Sequence, residues 1–149
     1  MKLRRATSND SAFFFNIRNE EQYRKMSIHT ELISWPEHTA WFDIEIQKSN
    51  HHFFVIEENG QAIGVLRIQE KAKFPFVAIA LIPEARGHGH GAGALQQACQ
   101  IASQLGYKEL RAEIKKENLP SVHAFEQAGF NRVDSVSELW LLAKNLNNN

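Results

Sequence analysis

The chain has 149 residues, with 17 Lys+Arg balanced by 17 Asp+Glu and 43% hydrophobic residues. This length predicts one domain over residues 1–149, burying roughly 70% of the surface its unfolded chain exposes. The zero net charge excludes a global basic field for nucleic acid or anionic membrane. The single Cys99 excludes a disulfide framework and a Cys-rich zinc site.

The elements follow in chain order. Leu3–Thr7 reads as a strand, and the Ser8-Asn9-Asp10 cluster caps a helix over Ser11–Arg18. Asn19–Leu32 is polar and weakly periodic, so it reads as helix fragments and loop. Ser34, with Pro36 and Glu37 behind it, starts a helix running to about Lys48. His52–Glu57, a turn at Asn59-Gly60 and Ala62–Ile68 form a hairpin. Phe74–Ile82 is almost wholly apolar, which predicts a strand buried on both faces. Its apolar run is far too short to span a membrane. No apolar segment follows Met1–Arg5, so a secretory signal is not expected and the expected location is the cytoplasm.

Ala92–Leu105 carries Leu95, Ala98, Cys99, Ala102 and Leu105 on one helical stripe, and Gly106 closes it. Glu109–Ile114 is a strand. Asn118–Gln127 is a short helix opened by Pro120 and closed by Gly129. Phe130–Val136 and Glu138–Leu142 are the last strands, and Asn145–Asn149 is expected to fray. This order predicts an α+β fold: a mixed, mostly antiparallel sheet of about seven strands flanked by about four helices.

Four of the eight glycines fall within Arg86-Gly87-His88-Gly89-His90-Gly91-Ala92-Gly93. The run lies between an apolar strand and a helix. Glycine permits positive φ and close approach of a ligand to the main chain. Amides freed there point from the positive end of the helix dipole, a geometry that fits a diphosphate. Arg86 can add a bidentate contact. No Lys-Ser/Thr follows, so the run is not a P-loop, and it lies too far along the chain for a dinucleotide fold. A tight strand-to-helix turn without a ligand is the alternative.

These residues resemble the GNAT N-acetyltransferases. Arg86-x-x-Gly89-x-Gly91 after Leu81-Ile82-Pro83 is similar to that superfamily's pyrophosphate-binding pattern. Asn118-x-x-Ser121 with Gly129-Phe130 is similar to its second motif. The resemblance implies the GNAT fold and acetyl-CoA as cosubstrate. It implies that the main chain at Leu81 and Ile82 pairs with the pantetheine arm. The amides of Gly87, His88, Gly89, His90, Gly91 and Ala92, with Arg86, would hold the pyrophosphate. Asn118, Ser121 and Phe125 would face the arm.

Arg18-Asn19, Arg24, Ser27 and Ile33-Ser34-x-x-Glu37-His38-x-x-Trp41-Phe42 resemble a subgroup that acetylates nucleotide-linked amino sugars, as in the pseudaminic-acid pathway. This second resemblance implies substrate contacts from Arg18, Arg24, His38 and Trp41. It implies a small-molecule amine partner, and neither a nucleic acid nor a membrane; a homodimer stays open. A ribosomal-protein-type N-terminal acetyltransferase and a non-catalytic CoA-binding module are the alternatives.

The reaction implied is direct acyl transfer to a neutral amine, with a donor N–H near Ile82 stabilising the oxyanion. Many GNAT enzymes carry a Tyr where this chain has Phe125, which has no proton to give. The candidate bases are Glu113 and His38. Lacking a strong base, the site favours a weakly basic amine over a lysine ε-amine with a pKa of about 10.4. His88 and His90 have no Cys or carboxylate partner in sequence, so no metal is expected. His51-His52 reads as a surface pair, Cys99 as a small buried hydrophobe, and Phe13–Phe15 as core with one ring at the cleft. Lys115-Lys116 reads as a solvated strand end, or as a contact to the adenosine 3′-phosphate.

Overall fold

The computed structural model describes residues 1–146. In chain order the elements are β1 (Lys2–Arg5), α1 (Ser11–Arg18), α2 (Glu21–Met26), α3 (Trp35–Glu45), β2 (His51–Glu58) and β3 (Gln61–Lys71). They continue with β4 (Phe74–Leu81), α4 (His90–Gln104), β5 (Glu109–Lys115), α5 (Leu119–Gln127), β6 (Asn131–Val136) and β7 (Leu139–Asn145). The strands form one sheet ordered β1-β2-β3-β4-β5-β7-β6. All neighbours are antiparallel except β4 and β5, which run parallel on either side of the α4 crossover. The α+β expectation holds. The helix beyond the expected four is α2, in the weakly periodic stretch.

Local chemistry sets the boundaries. Thr7, ahead of the Ser-Asn-Asp cluster, makes the capping box, and its amide donates to Asp10 Oδ2 at 2.8 Å. Ser8–Asp10 becomes a single 3₁₀ turn leading into α1. Ser34 caps α3 by accepting from the Glu37 amide, and Pro36 sits in the first turn. Helix α4 starts at His90, two residues before the expected Ala92, because Gly89 takes φ +81° and serves as its N-cap. Gly106, at φ +94°, ends it. Asn145 closes β7, and buried Leu146 donates its amide to the Lys108 carbonyl, so the chain is anchored to that point. The rest of the expected frayed tail, 147–149, lies outside the described residues.

The sheet is covered on both faces. On one, Leu95, Ala98 and Ala102 of α4 and Val122 and Phe125 of α5 pack against Phe54, Ile56, Leu66, Leu110 and Leu142. On the other, Phe14 and Ile17 of α1 and Phe42 of α3 pack against Phe53, Val55 and Val65. Strand β2 therefore contributes alternate residues to both cores, and six successive residues of it, His51 to Ile56, are buried. That role was expected of β4. In β4, Ala78 is exposed and Phe74 is 39% exposed. The reason is geometric: β4 meets β5 at a single residue pair, Phe76 against Arg111, and beyond it the strands part.

Gly64 in β3 lies opposite Leu81 at the end of β4. A Cβ there would stand 2.5 Å from the Ala80 carbonyl oxygen and 2.8 Å from Leu81 Cδ2. Gly64→Ala should therefore cost about 1–3 kcal/mol through overpacking. Thermal unfolding should show Tm falling by several degrees, and an unchanged Tm would contradict the close β3–β4 approach.

Candidate active site

Where β4 and β5 part, a cleft of about 300 Å³ opens. Strand β4 lines it with Phe76 to Ile79, β5 with Glu113 to Lys115, and α5 with Asn118, Ser121 and Phe125. Arg18 at the end of α1, Tyr23 in α2 and Arg67 and Gln69 in β3 close the other side. Asn118 is the N-cap of α5, and its side-chain oxygen accepts from the Ser121 amide at 3.4 Å. The cap ties two motif residues to one helix start facing the cleft. Phe125 is buried edge-on against Phe130, with ring centroids 4.9 Å apart.

The glycine run lies at the far end of β4. Gly87 and Gly89 both adopt left-handed φ, near +80°. Nothing stands within 4 Å of a Cβ built at either, so it is the backbone conformation that calls for glycine there. Gly91 is already helical, and a Cβ on it would touch Ala124 of α5 at 3.4 Å. Among the described residues, the amides of Gly87 through Ala92 donate no hydrogen bond to the protein. A run of unanswered donors at the N-terminus of a fifteen-residue helix is a fitting cradle for a diphosphate.

Several residues singled out in the sequence are placed elsewhere. Arg86 donates to the Leu81 carbonyl at 3.2 Å and pairs with Glu20 at 2.5 Å, which clamps the glycine run to the start of α2. The Ile82 amide donates to the Ile63 carbonyl at 2.9 Å, so this amide is not free for an oxyanion. Leu81 and Ile82 line a separate hollow against Phe13 and Ile17 of α1. His88 is exposed, and His90 Nδ1 lies 3.6 Å from Glu58 Oε2. Among the described residues no group of three or more His, Cys, Asp or Glu could hold a metal ion.

His38 does not reach the cleft as a base or a substrate contact. Its side chain is wholly buried between α1 and α3. Nε2–H donates to the Ser11 carbonyl at 2.9 Å, and Nδ1 accepts from Arg18 Nη1 at 3.0 Å. Burial chiefly, and then the Arg18 charge, hold its pKa below the usual value, so the ring is neutral. Arg24 is committed to the Asn19 and Thr30 carbonyls. Trp41 packs behind the cleft wall against Phe53 and His51. Of the expected substrate residues, only Arg18 lines the cleft.

The His51-His52 pair is buried, contrary to the surface expectation. His52 Nδ1 meets Arg5 Nη1 at 3.2 Å. His51 Nδ1–H donates to Glu45 Oε1 at 2.9 Å, and Nε2 accepts from Arg67 Nη1 at 3.1 Å. Cys99 is buried as expected. Of the phenylalanines, Phe14 is core and Phe13 lines the second hollow. Tyr23, His29, Glu31, Arg67, Gln69 and Lys71 also line the cleft, and the sequence alone singled out none of them. Arg67 did leave a signal: a lone charge between Leu66 and Ile68, in a strand that alternates between two cores.

A family model described as an acetyltransferase (GNAT) domain matches residues 1–131. The chain belongs to the GNAT acetyltransferases. It is an N-acetyltransferase that uses acetyl-CoA. It is 29% identical over 113 residues to the Bacillus subtilis (strain 168) protein named "Putative phosphinothricin acetyltransferase YwnH", covering 72% of this chain and 69% of that one. Among solved structures, a spermidine N-acetyltransferase from Vibrio cholerae, in complex with CoA and spermine, is similar with a TM-score of 0.87. The identity is 18%, over 97% of this acetyltransferase and 95% of that chain. A domain from Methanocaldococcus jannaschii gives a TM-score of 0.84 at 22% identity, with 97% of each chain covered. No helix among the described residues is long and apolar enough to cross a membrane.

Burial holds the His51 pKa at about 4, against an ordinary 6.5, and Arg67 reinforces the shift while Glu45 opposes it. Between these values the unfolded chain binds a proton that the folded acetyltransferase refuses. Stability from this group is therefore complete above pH 6.5 and lost as pH falls toward 4. Replacing His51 with Gln should remove on the order of 3 kcal/mol from the acid-side fall in unfolding free energy. Denaturant titrations between pH 4 and pH 7 measure it; identical slopes in the two proteins would refute the assignment.

Proposed function

We propose that this chain is a single-domain cytoplasmic acetyltransferase whose acceptor is the primary amine of a compact small molecule. The observation that carries the reading is the row of unanswered amides from Gly87 to Ala92, at the end of a strand whose edge opens into a cleft. Those amides and the α4 dipole would hold the pyrophosphate of acetyl-CoA. The edge of β4 beyond Phe76 has no partner strand and would pair with the pantetheine arm. Leu81 and Ile82 have a carbonyl and an amide already engaged, so the pairing falls on Val77 to Ala80. Asn118 and Ser121 line the cleft from the start of α5 and would face the arm. Acetyl-CoA supplies an activated acyl group, and direct transfer needs a neutral amine held beside it.

Glu113 is the base in this reading. It is exposed on β5 and lines the cleft, whereas His38 is buried with both ring nitrogens engaged. Phe125 leaves the position of the usual Tyr without a proton. Tyr23 and Ser121 bring hydroxyl groups into the same cleft. A volume of about 300 Å³ is at the lower end of small-molecule sites. It suits a compact amine better than a whole nucleotide sugar, a reading left with Arg18 as its one substrate residue in the cleft. The relative named for phosphinothricin supports an acceptor of amino-acid size.

Two measurements test this reading. Replacing Gly89 with Val forces a branched side chain onto φ +81°, so it should lower Tm by several degrees and, in calorimetry well below that Tm, weaken acetyl-CoA binding by about tenfold or more. Saturating acetyl-CoA that gives no heat with the wild-type protein would refute the cradle. Glu113→Gln should slow thiol release with an accepted amine by about a hundredfold near neutral pH, with partial recovery as pH rises. An unchanged rate and pH profile would remove Glu113 as the base, and tight binding without turnover of any amine would favour a non-catalytic module.

A further inference from the structure

Two arginines on the α1–β3 side of the cleft have no carboxylate hydrogen-bonded to them among the described residues, and Glu45 reaches Arg67 only as a more distant charge. Arg18 and Arg67 both line the cleft and both are half-buried. Each donates a hydrogen bond to a neutral imidazole, Arg18 to His38 and Arg67 to His51. Among the described residues neither guanidinium forms an ion pair with a carboxylate, while Arg4, Arg86, Arg111 and Arg132 all do. A guanidinium has five N–H donors, so most of theirs remain unused. Both stand over the Trp41 ring, at 4.3 and 5.3 Å from its centroid. Burial, and then the field of Arg67, pull the Arg18 pKa down, as expected for neighbouring like charges.

Two guanidinium groups that share one aromatic ring and feel each other's charge while half-buried are unfavourable unless an anion joins them. The histidines make the arrangement specific. Glu45 is within reach of His51 and is kept from Arg67 by that ring. A carboxylate placed directly on Arg67 would cancel its charge, whereas a neutral imidazole orients the guanidinium and leaves the charge available. His38 does the same for Arg18, anchored in turn on the Ser11 carbonyl. His38 and His51 are positioning residues.

We propose that the acceptor amine carries an oxyanion, a carboxylate or phospho group, which docks between Arg18 and Arg67. This inference rests on the acetyl-transfer reading and adds the class of substrate. Arginine pairs suit such groups because each fork can donate two parallel hydrogen bonds. The opposite side of the cleft presents Glu113, whose charge suits the ammonium end of the same molecule. Glu31 and Lys71 also line the cleft, and Lys115 beside Glu113 is tied to the Lys25 carbonyl. The fit to an amphoteric acceptor rests on the two arginines and Glu113 lying on opposite sides, and two guanidinium groups disfavour a polycation.

Calorimetry on the CoA-loaded protein tests the clamp with four amines: β-alanine, 2-aminoethylphosphonate, ethanolamine and spermidine. At least one of the two acidic amines should bind about tenfold or more tighter than ethanolamine, and the tighter of them identifies the oxyanion. Arg18→Gln and Arg67→Gln should each cut that preference about tenfold, while leaving CoA affinity and Tm close to wild type. Should Arg67→Gln not fold, Arg67→Lys and Arg18→Gln carry the test, the lysine retaining part of the preference. Equal binding of ethanolamine, tightest binding of spermidine, or a preference that survives the arginine substitutions would overturn the clamp. Thiol release is read separately. Selective binding without release counts against acetyl transfer and for the clamp; equal release with every amine counts the other way.

Discussion

Strands β4 and β5 run parallel and touch at one residue pair, Phe76 against Arg111, and then separate. The rest of the molecule is arranged around that separation. Two parallel strands in register would satisfy each other's main-chain groups and bury each other's side chains. Parting them leaves a sheet edge unpaired in the middle of the fold and a space that side chains do not fill. The separation is sustained from outside. Strand β4 is fully paired with β3, β5 is fully paired with β7, and α4 and α5 seal one face with a continuous apolar core. The split therefore needs little local compensation, and it directs the open edge of β4 toward the N-terminus of α4.

Charge is handled differently at the two ends of this opening. At the glycine end, positive potential comes from amides and a helix dipole, and Arg86, the cation nearest in sequence, is tied to Glu20. At the acceptor end it comes from two guanidinium groups held by neutral imidazoles. Backbone donors have fixed geometry and suit a cofactor that is always the same. In the proposed clamp, side-chain cations on a rigid aromatic platform would discriminate between acceptors by charge. The histidines join the two regimes to stability, because their neutrality depends on the same burial that holds α1 and α3 to the sheet.

Much of the fold was legible in the residues themselves. The cap at Ser34, the closing glycine at 106, the freedom of the glycine run for positive φ and the apolar stripe of α4 each depend on neighbours within a turn or two, whereas the Asn118 cap and the Gly89 N-cap appear only in the structure. The glycine run and the Asn118–Ser121 pair are also local, each with its geometry set inside one loop-to-helix junction. What was misread was burial. The run Phe74 to Ile82 resembles a doubly buried strand by composition, yet its position beside the split leaves part of it exposed. His51 and His52 resemble a polar pair at a strand start, yet α3 and β3 close over His51.

Residue identity and spacing alone determined the family resemblance, the glycine run with its free amides and the helix that follows it, because those features are built from contacts between near neighbours. Tertiary structure decided which ionisable groups face the cleft and in what charge state. Arg18 meets His38 across 20 residues, Arg67 meets His51 across 16, and His38 reaches Ser11 across 27. Such pairings arise only when separate elements pack. The dielectric environment that fixes a histidine's proton, or leaves an arginine unanswered, exists only once they have.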